Sequence, residues 1–284
     1  MRSPETSYGV LEQDGVQWER ERAESSLGAD PVLRLAVTNL REDGFAVFDP
    51  EISVSELDHL STAFDRAHEA YLDRHGREKL KMLDETNTIR AMLMDEDPAF
   101  LGLALNSKLL KLIGSLISGK FILNQQNGII NPPKEPYNQA HWHRDLPYQH
   151  FVSSRPLAIN ALFCIDEFNA ENGATFVLPK SHKVERFPSW EKVRENARQV
   201  SVPRGSFVVL DCMTFHAGGY NSTSKARRAI NHVYSIPLFK QQIGLGAWFA
   251  HRMGSLDPQA REVLGLRYLE PQSVEAYIQS RVRS

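Results

Sequence analysis

The chain has 284 residues, 42% of them hydrophobic and 24% charged, so a sizeable core can be buried and a disordered composition is excluded. That length suits one large domain or two small ones. The formal net charge of −2 leaves no basic excess, which argues against nucleic acid or an anionic membrane as the partner.

The first 30 residues are polar and lack the apolar centre of a signal peptide. They are expected to form a flexible arm ahead of a single domain over 31–284. From Pro31, "PVLRLAVTNLRED" has helical apolar spacing, and Gly44 ends it. "GFAVFD" (44–49) alternates as a short strand. "SVSELDHLSTAFDRAHEAYLDRHG" follows, with Ser55 as candidate cap and Gly76 as stop. Leu57, Leu60, Phe64 and Ala67 share one face of that helix. More helix is expected at 97–118. Its most apolar part, 100–119, is broken by Asn106, Lys108 and Lys111. It reads as one or two buried helices, not a membrane span.

The pattern changes near residue 120. Short β-type segments at 121–131, 139–146, 156–166, 174–178, 199–202, 206–212 and 227–236 are separated by turn residues. This spacing predicts an antiparallel barrel or sandwich. One helix is predicted at 189–198, and helical pieces over 237–284. The fold class is therefore α+β, with helices ahead of an all-β core. Cys164 and Cys212 lie in apolar runs and are expected to be buried, reduced thiols of a cytoplasmic protein.

"HWHRDLPYQHF" (141–151) carries two possible chemistries. As H-R-D-L-x-x-x-N it would be a kinase catalytic loop, but residue 150 is His, and no glycine-rich loop, V-A-I-K or D-F-G accompanies it. "GLGAWF" (244–249) lacks the third glycine of a dinucleotide fingerprint. As H-x-D on a strand, His143 and Asp145 point one way and Arg144 the other. A lone H-x-D is weak. His216, at a glycine turn between two strands, supplies a third ligand. Two imidazoles and one carboxylate can hold one face of an iron(II) ion and leave three positions open. A structural zinc site would fill all four positions, usually with cysteines, and neither cysteine has ligand spacing.

Four segments together resemble the phytanoyl-CoA dioxygenase family of Fe(II)/2-oxoglutarate-dependent oxygenases. They are "LREDGFAVFD", "HWHRDLPY", "CIDEFNAENGATFVLPKSHK" (164–183) and "HAGGYNSTSKARRAINHVY" (216–234), in that order. The resemblance spans roughly 44–236. It implies a double-stranded β-helix, or jelly roll, with N-terminal helices on one sheet. It also implies Fe(II), 2-oxoglutarate and O2 as cofactor and cosubstrates, and His143, Asp145 and His216 as metal ligands. His141 shares a face with His143 and is the rival ligand or a pocket residue. The family's cosubstrate arginine, about eleven residues past the second histidine, falls on Arg227, with Arg228 next door. A guanidinium can grip a carboxylate with two parallel bonds. Where some members carry a hydroxyl two residues after the distal histidine, this chain has Gly218. Thr175, Asn160, Gln126 and Arg90 are the other candidate cosubstrate contacts. Related halogenases lack the carboxylate; Asp145 is present, so hydroxylation is implied. The product set is succinate, CO2 and a hydroxylated small metabolite or biosynthetic intermediate. Lys134, Tyr137, Trp142, Tyr148 and Trp248 are candidate substrate contacts. His150, His182 and His232 read as ordinary packing residues, and Arg144 as free to vary. The alternative is the same barrel used as a non-redox metal- or ligand-binding module, against which the intact triad and Arg227 argue.

Overall fold

The computed structural model describes residues 30–281, apart from 96, 118 and 146–150. The expected arm, Tyr148 and His150 thus fall outside the described residues, save Asp30. That aspartate caps α1 (Pro31–Asp43), its carboxylate accepting from the amides of Val32 and Leu33. Gly44, at φ 85°, ends the helix and leads into β1 (Phe45–Phe48). The next helix, α2 (Val54–His75), starts one residue ahead of the predicted cap. Ser53, not Ser55, caps it, because Glu56 lies three residues on and closes a capping box. A short α3 (Arg77–Met82) and β2 (Thr88–Ile89) follow. The apolar stretch forms two helices, α4 (Pro98–Ala104) and α5 (Ser107–Leu116), because the Asn106 side chain caps a new start. Leu109, Leu112 and Ile113 are fully buried there.

The β-core follows the predicted segments closely. It contains β3 (Ile122–Asn131), β4 (Ala158–Cys164), β5 (Phe176–Val177), β6 (Arg198–Gln199), β7 (Phe207–Asp211), β8 (His216–Ala217) and β9 (Arg227–Ser235). The predicted helix at 189–198 is α6 (Trp190–Asn196), and α7 (Leu245–Phe249), α8 (Pro258–Val263) and α9 (Val274–Arg281) end the chain. Six strands pair in the order β1-β7-β4-β9-β3-β2, and three in the order β6-β5-β8. The pairs are antiparallel. This is the jelly-roll arrangement of a large sheet facing a small one. The described part of the predicted segment 139–146, up to Asp145, is not a strand. It has one 3-10 turn at Asn138–Ala140 and a single bridge, His143 to His216. Its neighbour β8 is only two residues long before Gly218 and Gly219, so there is little edge to pair with.

Strand alternation gives the large sheet two faces. Ile159, Ala161, Phe163, Val209, Ile230 and Tyr234 form one core with α1, α2, α4 and α5. Burying an aromatic or branched side chain there contributes roughly 1.5–3 kcal/mol each. The opposite face presents Leu162, Cys164, Val208, Leu210 and Ala229 to Phe168 and Val177 inside the barrel. Both cysteines are buried and unpaired, as expected.

Candidate metal centre

His143, Asp145 and His216 bring one ligand atom each to within 4.8 Å of one another. The Asp145 Oδ1 atom lies 3.8 Å from His143 Nε2 and 3.7 Å from His216 Nε2. Each imidazole is oriented from behind. His143 Nδ1 is 2.7 Å from the His141 carbonyl, and His216 Nδ1 is 2.9 Å from the Thr214 carbonyl. A carbonyl only accepts, so each Nδ1 carries the proton and each Nε2 offers its lone pair to the site. Burial lowers the pKa of His216, which favours that neutral form, while Asp145 acts in the opposite direction. The second carboxylate oxygen, Asp145 Oδ2, accepts from Asn160 Nδ2 at 2.8 Å.

His141 is not part of the cluster. Its side chain is exposed and its backbone carbonyl orients His143. Arg144 does face away, but it is not free to vary. It is 1% exposed and donates to the carbonyls of Ser181, Val184 and Glu185. A buried guanidinium needs such acceptors, so this side chain fastens the triad segment to the loop after β5.

Arg227 and Arg228 separate cleanly. Arg228 donates to Asp65, Asp166 and Ser61 on the helix side. Arg227 is 2% exposed, faces the barrel interior and has no carboxylate within 4 Å among the described residues. Its Nη2 donates to Tyr137 Oη at 3.3 Å, and its guanidinium carbon lies 3.8 Å from the centre of the Phe168 ring. Arg227 Nε is buried without a partner, as are Asn160 Oδ1 and Asn231 Oδ1. Buried polar atoms of this kind are rare unless a ligand satisfies them. Gly218 makes room for this arrangement: a Cβ there would fall 1.9 Å from Tyr137 Oη. The Tyr137 hydroxyl, from the loop before the triad, thus occupies the space a side chain at 218 would take. Sequence reading placed Tyr137 against substrate and missed Phe168 altogether. The signal for Tyr137 was the glycine at 218, which is informative only once the two are known to touch.

The other expected contacts are dispersed. Gln126 points to the helix face, donating to the Phe100 carbonyl and to His232 Nε2, because the bulge at 123–125 shifts the alternation of β3. Arg90 is held by Glu85 through two hydrogen bonds. Thr175 is buried just ahead of β5. Trp142 stacks on Phe215 at 5.4 Å, on the face opposite His143. Lys134 is exposed, and Trp248 is half-exposed against His251.

A double-stranded β-helix with two histidines and one carboxylate on its inner wall defines the class of iron(II) oxygenases. The chain belongs to the phytanoyl-CoA dioxygenase (PhyH) family, whose model matches residues 40–229. The uncharacterized protein Rv1501 of Mycobacterium tuberculosis is 33% identical over 205 residues, covering 70% of this chain and 74% of its own length. Dioxygenase af480 of Aspergillus fumigatus is 33% identical over 118 residues, 39% of this chain and 37% of its own. Among solved structures, EctD from S. alaskensis with 2-oxoglutarate and 5-hydroxyectoine superposes with a TM-score of 0.60 at 20% identity, covering 74% of this chain and 82% of that one. The non-heme alpha-ketoglutarate-dependent epimerase SnoN, from nogalamycin biosynthesis, gives 0.57 at 18% identity, covering 73% and 82%. These structures share the fold.

Proposed function

We propose that the protein is a non-haem Fe(II)/2-oxoglutarate-dependent dioxygenase that hydroxylates an unactivated C–H bond of a small metabolite. When bound, iron with its cosubstrate supplies the oxidising power: one atom of O2 enters the product alcohol and the other enters succinate as CO2 leaves. His143 Nε2, His216 Nε2 and Asp145 Oδ1 would hold the metal. Asn160 donates to Asp145 Oδ2, which would leave Oδ1 as the oxygen offered to the metal. Arg227, steadied by Tyr137 and Phe168, takes the distal carboxylate of 2-oxoglutarate. The single observation that carries the reading is the convergence of three ligand atoms with both Nδ1 positions tied to carbonyls.

Anaerobic addition of Fe(II) and 2-oxoglutarate should produce a weak metal-to-ligand charge-transfer band in the visible. Asp145→Ala should abolish it. A wild-type protein with no band and no succinate release would sink the proposal. Asn160→Ala should weaken iron binding by roughly 10–100-fold, the usual effect of losing a group that orients a ligand. Equilibrium dialysis of Fe(II) measures this directly, and an unchanged affinity would remove Asn160 from the site.

A further inference from the structure

The strands end away from Arg227 in a pocket of about 490 Å3, within the size range of small-molecule sites. Phe151, Leu157, Met213, Ile236 and Phe239 line it. No triad residue lines it, but two connections tie it to the triad. Ala158 lines the pocket, and two residues along the same face of β4, roughly 7 Å away, Asn160 holds Asp145. From the other wall, the amide of Asp145 donates to the carbonyl of Cys212, the neighbour of Met213. Arg227 begins β9 and Ile236 follows its end, so the triad lies between a cationic end and an apolar end.

The chemistry of the wall is one-sided. No lysine or arginine is among its described lining residues, so nothing there matches the phosphates of a CoA carrier. Its polar interruptions are Ser153, His182 and Asp211. Burial holds His182 below the usual imidazole range. Asp211 is 7% exposed, and burial pushes its carboxyl up to about 6. Its Oδ1 accepts from the Met213 amide, a local turn contact. It has no ion pair within 4 Å among the described residues. Arg144, the cation that acts on it, directs its bonds to the carbonyls of the neighbouring loop. A buried carboxylate beside apolar walls, with no cation hydrogen-bonded to it, favours a ligand that brings one.

We infer that this pocket seats the body of the substrate, and that the substrate is a compact, largely apolar molecule whose amine pairs with Asp211. The inference rests on the oxygenase reading, and the family name is then no guide to the substrate of this chain.

Two isosteric probes test it: 1-aminoadamantane and adamantane-1-carboxylate. Each is titrated calorimetrically, without oxygen, into the full chain loaded with Fe(II) and 2-oxoglutarate. The amine should bind at least tenfold more tightly than the carboxylate. Asp211→Asn should erase that preference. If that variant fails to fold, Leu238→Lys provides the second arm, because Leu238 lines the pocket yet is 81% exposed. It should also erase the preference. Met213→Trp should weaken both probes by filling the space. Equal binding of the two probes, no binding of either, or indifference to Met213→Trp overturns the inference. The charge-transfer band, recorded on the same samples, reports the oxygenase reading separately. A band without amine preference removes the pocket proposal alone, and amine preference without a band removes the oxygenase reading and leaves only an amine site at Asp211.

Discussion

The two faces of β9 treat charge in opposite ways. On the helix side, Arg228 meets Asp65, Asp166 and Ser61, and the Asp166 hydrogen bonds followed by those of Asp65 raise its pKa. One residue earlier, Arg227 turns inward to a phenol and an aromatic ring, and burial lowers its pKa. The outer face is electrically complete without a ligand. The inner face is not, and a buried charge without its counterion is unfavourable by several kcal/mol. Such an arrangement persists where a bound anion completes it. The comparison therefore separates an arginine whose charge is met within the fold from one whose charge is not, the one proposed above to take the cosubstrate.

Acid should disturb the outer face most. His232 is fully buried, its Nδ1 donating to the Ala161 carbonyl and its Nε2 accepting from Gln126. Burial takes its pKa down to about 4. The unfolded chain binds this proton near pH 6.5 and the folded chain does not. Stability from His232 is therefore complete above pH 6.5 and is lost as pH falls toward 4, on the order of 3 kcal/mol in all. Asp211, raised to about 6, works in the opposite sense below that pH. Denaturant midpoints measured from pH 7 to 4 should fall more steeply in wild type than in His232→Leu; parallel curves would contradict this.

On the inner face, Arg227→Ala should weaken 2-oxoglutarate binding about 30-fold, or about 2 kcal/mol, the worth of a charge-assisted pair. The cosubstrate-free protein should be no less stable, since an unpaired buried charge has been removed. Titration of the charge-transfer band gives the first number and thermal melting the second. An unchanged cosubstrate affinity would reassign the clamp.

The smallest effect is expected at Arg228→Ala. Its partners are partly exposed, so about 1 kcal/mol of stability should be lost. Cosubstrate affinity should stay as in wild type. A large rise in the 2-oxoglutarate dissociation constant would erase the distinction between the two faces.

Much of the site was legible because it is written in local spacing. The role of Arg227 came from the family resemblance, whereas the two-residue spacing of His143 and Asp145 and the glycine turn after His216 rest on short-range rules. So did the boundaries of α1 and of β3, β4, β7 and β9, set by caps, turns and alternation. Where short-range rules competed, the nearest signal misled: Ser55 stood for Ser53, and a bulge in β3 carried Gln126 to the wrong face.

Sequence supplied three candidate ligands, the jelly-roll class and the choice of Arg227 chiefly through the four segments that resemble the family; strand alternation added that Arg227 and Arg228 face opposite ways. Only the tertiary structure decided what those groups touch. Asn160 reaches Asp145 across 15 residues of chain, and Tyr137 meets Arg227 across 90. Arg144 finds its acceptors in a loop 37 to 41 residues away. The same packing left His141 outside the ligand cluster. These pairings are fixed by sheet register and loop packing, which no local pattern encodes.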